Sequence, residues 1–147
     1  MTTSDNEISN LIHQHQAVKT HMKFLINALS PLYTQSDQEM PYSTPLKGRI
    51  ALYRWSLYDF KEAIQRQIEL DERIFLGERS MEEILRENQG ILEQINNAIV
   101  LAENAVDNKT SQEELKTYSL NIIEAVNRIC ETMELHMTKE DELVRQH

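Results

Sequence analysis

Four stretches of this sequence place apolar residues at alternating steps of three and four, and no stretch keeps a period of two. Such steps gather side chains on one face of an α-helix, because a turn takes ~3.6 residues. The first track runs Ile8, Leu11, His15, Val18, Met22, Leu25, Leu29. The second runs Leu46, Ile50, Tyr53, Leu57, Phe60, Ile64, Gln67, Asp71, Ile74. The third is Met81, Ile84, Asn88, Ile91, Ile95, Ala98, Ala102, and the fourth is Leu115, Ser119, Ile122, Val126, Ile129, Met133, His136, Glu140, Leu143. A sheet cannot use this pattern, and each helical stripe needs another stripe to cover it.

Glycine and proline, three of each, mark where the stripes stop. Pro31, Pro41 and Pro45 bracket an irregular stretch from Leu32 to Thr44, Gly77 closes the second segment, and Val106–Thr110 is a polar turn. Ser4 to Glu7, Ser80 to Glu83 and Ser111 to Glu114 have the Ser-x-x-Glu outline of a capping box, in which side chains satisfy orphan amide donors. Thr44 with Pro45 at the first helical position marks the remaining start. Helices are therefore expected at about 5–30, 45–76, 81–106 and 111–145, in one domain spanning residues 1–147. Short second and third connections predict an all-α, antiparallel up-down four-helix bundle.

The charge narrows the function classes. Fifteen Lys and Arg against 24 Asp and Glu give −9, the wrong sign for a binder of the nucleic-acid backbone. A single cysteine rules out an intrachain disulfide and fits a reducing compartment. There is no signal-like start, and no apolar run approaches the ~18–20 residues of a membrane span. The expectation is a soluble, cytoplasmic protein with no nucleic-acid or membrane partner.

Each apolar track turns polar in one place. His15, Gln67 with Asp71, Asn88, and His136 with Glu140 all fall roughly 7–15 Å from one end of an antiparallel bundle, at ~1.5 Å of rise per residue. A carboxylate buried beside a histidine costs several kcal/mol unless it is paired or holds a metal. His136 and Glu140 are four residues apart, so both project from one face toward a common ion. Imidazole mixed with carboxylate suits iron, manganese or zinc, whereas calcium prefers oxygen alone.

At these residues the chain resembles the hemerythrin-like family, the HHE cation-binding domains. The likeness extends from about Ile8 to Val144 and is most specific at Leu135-His136-Met137-Thr138-Lys139-Glu140-Asp141-Glu142-Leu143. That piece carries the His-x-x-x-Glu of the family's last helix, and Asp141 offers the variant with one more intervening residue. His15-Gln16-Ala17-Val18 is similar to the first-helix motif, and Gln67 to Glu72 has the outline of the second-helix motif. Asn88-Gln89-Gly90-Ile91 has that of the third. Gln67 and Asn88 stand where the family places histidine, Leu92 stands at a further ligand position, and Asp71 replaces glutamate, with Glu72 beside it.

The resemblance implies a bundle enclosing a non-heme metal centre, of one or two irons, with zinc or manganese as lesser choices. Carried over residue by residue, its ligands are His15, Asp71 or Glu72, His136, and Glu140 or Asp141. It implies a metal-binding protein in oxygen, nitric oxide or redox sensing, or in iron handling, with a small diatomic molecule as ligand. The ligands act by coordination, so no enzyme is expected. None of the five histidines has glutamate three residues before it, which sets aside the ferritin-like oxidase pattern.

The competing reading leaves the site empty. Gln67 and Asn88 then complete a hydrogen-bonded network that fixes helix register, and the chain is an interaction module, as a homodimer for instance, using Tyr118, Leu120 and Ile123. Other residues carry blander expectations. His13 and His21 lie off the seam, His21 as a candidate to border the site; Cys130 is a core or partly exposed thiol; and Tyr53, Trp55 and Tyr58 pack at the far end, the tyrosine hydroxyls reaching water. Gly90 costs ~1 kcal/mol in a helix relative to alanine, and is read either as permitting a close approach or as tolerated drift.

Overall fold

A computed structural model describes residues 5–33, 45–78, 81–107 and 109–145. Among them the chain forms five helices and no strand: α1 (Asp5–Asn27), α2 (Ser30–Tyr33), α3 (Leu46–Ile74), α4 (Met81–Ala105) and α5 (Gln112–Arg145). The four long helices pack as a helical bundle in which α1 lies against α3 and α5, and α4 against α3 and α5. No helix among the described residues is long and apolar enough to cross a membrane.

The helix limits follow from local chemistry. One continuous first helix to residue 30 was expected, but α1 stops at Asn27 and the four-residue α2 follows. Pro31 explains the break: it has no N–H to give the Asn27 carbonyl. α3 begins at Leu46, so Pro45 caps the helix rather than opening it, with its carbonyl accepting from Arg49 N at 2.9 Å. The cap expected at Thr44 lies outside the described residues, as do the serines of the first two capping boxes. The third box is formed: Ser111 Oγ accepts from Glu114 N, and Glu114 Oε1 accepts from Ser111 N, both at 3.2 Å. Past α3, Gly77 takes the left-handed conformation (φ 84°) that lets the chain turn toward α4.

The four seams are buried nearly as spaced. Only Ile8, Met81 and Leu143 at the extremities are half-buried, and Val144 takes the position anticipated for Leu143, four residues after Glu140. The apolar interior is divided in two. A large cluster runs from Val18 and Met22 through Leu57, Ile95 and Ile129 to Met133; a small one gathers Leu11, Leu70, Ile74, Phe75, Ile84 and Val144. Between them lie buried His15, Gln67, Asp71, Asn88, His136 and Glu140.

The far end of the large cluster is pinned by side chains that reach carbonyls where α1 and α2 end. Tyr53 OH donates to Leu25 O at 2.8 Å, Arg49 Nη1 to Pro31 O at 3.0 Å, and Ser119 Oγ to Leu32 O at 2.5 Å. These groups answer the unsatisfied carbonyls of helix C-termini. The Tyr53 hydroxyl is therefore buried rather than reaching water, and burial pushes its pKa well above the usual phenol value. Trp55 is exposed rather than packed, under the Arg54 guanidinium and 6.1 Å from the Tyr58 ring. Ile123 has joined the core, whereas Leu120 stays exposed and Tyr118 is half-buried.

Gly90 separates its two readings. A Cβ built there meets nothing within 4 Å, so no close approach requires glycine. Gly90→Ala is expected to stabilise the protein by about 0.5–1 kcal/mol, because alanine restricts the unfolded chain and favours the helix. A raised thermal midpoint checks this; an unchanged or lowered one refutes it.

Candidate metal centre

Each long helix delivers its polar residues to the layer by the same step-of-four logic that builds the core. α3 presents Gln67 and Asp71, α5 presents His136 and Glu140, and α1 and α4 contribute His15 and Asn88. Asp71 sits one turn before the end of α3, where its backbone carbonyl accepts from Phe75 N at 2.9 Å. All six residues are at most 2 % exposed.

Asp71 and Glu140 face one another at the centre. Gln67 Nε2 donates to Asp71 Oδ1 at 2.8 Å and to Glu140 Oε1 at 3.2 Å. Asn88 Nδ2 donates to Asp71 Oδ2 at 3.0 Å. His136 Nε2 lies 3.6 Å from both Asp71 Oδ2 and Glu140 Oε2, too far for a hydrogen bond to either. His136 Nε2 and Glu140 Oε2 are accordingly buried without a hydrogen-bond partner. One ligand atom from each of Asp71, His136 and Glu140 falls within a common span of 4.8 Å.

His15 enters the layer from the other side of Glu140. Its Nε2 is 3.0 Å from Glu140 Oε1, and its Nδ1 is 2.8 Å from Oδ1 of half-buried Asp141. Burial lowers the His15 pKa despite Asp141. A neutral ring then donates from Nδ1 to the Asp141 carboxylate and accepts at Nε2 from a protonated Glu140. The shift on Glu140 agrees: burial, then the nearby Asp71 carboxylate, pushes its pKa up to about 12. Burial works to raise Asp71 as well, but its interactions with His136, Glu140 and Asn88 outweigh that and hold it below the usual value. Two facing carboxylates that share one proton avoid placing two like charges side by side.

The expected ligands thus divide. Asp71, His136 and Glu140 converge; His15 and Asp141 are drawn in as a hydrogen-bonded pair touching Glu140 Oε1. Glu72 is not brought to the layer: it is exposed and lines a surface groove with Arg66, Arg73 and His13. One residue of helical phase explains this, since ~100° of rotation separates it from Asp71. His21 borders a different groove with Phe24 and Ser56, not the site. Cys130 is buried away from the layer, and burial raises its thiol pKa to about 11.

Glu87 is the neighbour that seam reading passes over. Its Oε1 lies 3.6 Å from His136 Nδ1, while its Oε2 is 3.3 Å from Lys139 Nζ. The signal was present, because Glu87 is three residues past Ile84 and four before Ile91, on the flank of the α4 seam. From outside, a cavity of about 420 Å³ between α1 and α5, walled by Ile8, Ile12 and Val144, reaches His15 and Asp141.

Compared with protein-family models, with curated proteins and with solved structures, the chain matches none.

In metal-free protein, unfolding releases a proton from Glu140 at any pH between its ordinary 4.5 and its folded value of about 12. Its contribution to stability therefore falls as pH rises through that window. His15, depressed when folded, removes stability instead as pH drops through 6.5. Glu140→Gln keeps the shape without the titration. Metal-free Glu140→Gln should melt above the wild type, by a gap that widens from about pH 6 to about pH 9. A gap constant across that range would show that Glu140 is ionised in the folded protein.

Proposed function

We propose that the chain is an antiparallel up-down bundle of the hemerythrin-like kind, and that its polar layer is a binding site for a non-heme metal ion. The observation that carries this reading is the convergence of Asp71 Oδ2, His136 Nε2 and Glu140 Oε2 around a common point, with two of the three lacking any hydrogen-bond partner. Ligand atoms held ~2.1 Å from a tetrahedral ion lie about 3.4 Å from one another, close to the 3.6 Å separations at His136 Nε2. Without water or a hydrogen bond such atoms are costly to bury; a cation satisfies both at once.

Two carboxylate oxygens and one imidazole nitrogen favour first-row metals over calcium, with iron first and zinc or manganese next. Asp71, His136 and Glu140 would hold the ion and His15 would orient Glu140, with the Glu87 carboxylate 3.6 Å from His136 Nδ1. When bound, such an ion supplies a Lewis-acidic centre with open positions for a small diatomic ligand. Ion uptake requires Glu140 to lose its proton, and the contacts from Glu140 Oε1 to His15 and from His15 to half-exposed Asp141 offer that proton a route outward. We assign the protein on this basis to sensing or handling of iron, oxygen, nitric oxide or redox state.

A second reading draws on the amide donors. Gln67 and Asn88 already satisfy three of the four carboxylate oxygen positions through hydrogen bonds, as a metal-free polar layer would require. The chain would then be a helical interaction module. Elemental analysis of protein purified without chelator separates the two. The metal reading expects a retained transition metal and a melting temperature that falls on chelation, since an ion present at 100 to 1,000 times its dissociation constant adds about 3–4 kcal/mol. His136→Ala should abolish that difference. Protein that neither retains nor takes up iron, zinc or manganese would leave the interaction module standing.

A further inference from the structure

We propose that the layer takes one cation, and that the Gln67 amide occupies the place a second would need. The inference rests on the metal-site reading above and fixes the nuclearity of that site.

Each central carboxylate has two oxygens, and the structure sorts them into two pairs. Asp71 Oδ2 and Glu140 Oε2 turn toward His136 Nε2, 3.6 Å from each. Of these three atoms only Asp71 Oδ2 has a hydrogen bond, from Asn88 Nδ2, which leaves a second lone pair on that oxygen. This pair is open to an ion.

The other pair is closed. Asp71 Oδ1 and Glu140 Oε1 both accept from Gln67 Nε2, at 2.8 and 3.2 Å. The amide nitrogen thus lies between the two oxygens, with its hydrogens directed where a bridged cation would have to sit. An N–H donor cannot coordinate, and its positive end repels a cation. His15, the one imidazole on this side, is engaged to the same Glu140 Oε1 at 3.0 Å and to Asp141 at 2.8 Å.

Charge balance leads to the same count. Two ionised carboxylates and one divalent ion sum to zero, whereas a second divalent ion leaves an uncompensated double charge among buried groups. Among the described residues, half-buried Glu87 and Asp141 are the further carboxylates beside the layer, and they are engaged to Lys139 and His15. Gln67 is therefore a specificity-determining residue: its donor substitutes for a second ion's charge and fixes the site at one metal.

The test is the binding stoichiometry of the full chain for Mn²⁺ and Zn²⁺ by equilibrium dialysis, beside Gln67→His. That substitution replaces the donor by a lone pair at the same helical position, four residues before Asp71. The expected result is one molar equivalent in the wild type and two in the variant. Two equivalents in the wild type, or one in a folded variant, would overturn this inference and leave the metal-site reading intact. No bound ion in the wild type would overturn both. Should the variant fail to fold, electron paramagnetic resonance of the Mn²⁺-loaded wild type still decides. An isolated-ion hyperfine pattern supports one metal, and an exchange-coupled pair refutes it.

Discussion

Two carboxylates that face each other away from water set the terms for the rest of this structure. Neither Asp71 nor Glu140 can be left unanswered at 0 % exposure, and no single helix carries enough donors to answer both. Partners come from every side: Gln67 donates from α3 itself and Asn88 from α4, the His15 imidazole of α1 accepts from Glu140, and the His136 imidazole of α5 stands 3.6 Å from both carboxylates. Apolar seams alone would tolerate sliding, because one leucine replaces another a turn away with little loss. Hydrogen bonds near 3 Å do not tolerate it. The layer therefore fixes the axial register of the long helices as well as gathering the chemistry.

That layer leaves a residue of imperfection at its centre. Three of its side chains, Gln67, His136 and Glu140, retain buried atoms without partners, whereas at the opposite end the helix-end carbonyls of Leu25, Pro31 and Leu32 each receive a side-chain donor. The contrast is physically informative. Tyr53, Arg49 and Ser119 each answer a carbonyl at a helix terminus, whereas at the layer two orphaned atoms, His136 Nε2 and Glu140 Oε2, lie 3.6 Å apart beside Asp71, where one ligand would answer both.

Much of this was legible in the sequence, and the reasons are specific. The seams are readable because burial in long helices follows a fixed period, which by itself brings His15, Gln67, Asp71, Asn88, His136 and Glu140 to one level. The choice between Asp71 and Glu72 rested on helical phase, and seam continuity pointed to Asp71. What periodicity cannot carry is which atom of a side chain meets which. It gave no sign that Gln67 clasps one pair of oxygens while His136 faces the other, nor that His15 turns toward Asp141. The break at Asn27 lay within reach, since Pro31 announces it four residues ahead. The roles of Tyr53 and Arg49 did not, because the carbonyls they meet belong to turns whose paths only the fold defines.

The small apolar cluster beyond the layer has a consequence of a different sort. Leu11, Leu70, Ile74, Phe75, Ile84 and Val144 share no apolar contact surface with the main cluster, because the polar side chains stand between. Such a patch is held less by the body of the protein than by its own few contacts, and cooperative units divide along boundaries of this kind. The tip of the bundle is thus a separate thermodynamic element, able to open while the remainder stays folded. Amide protons near Ile74 and Ile84 should then exchange on a faster clock than those near Leu57 and Ile95. In that sense the molecule has two stabilities, and the polar layer is the border between them.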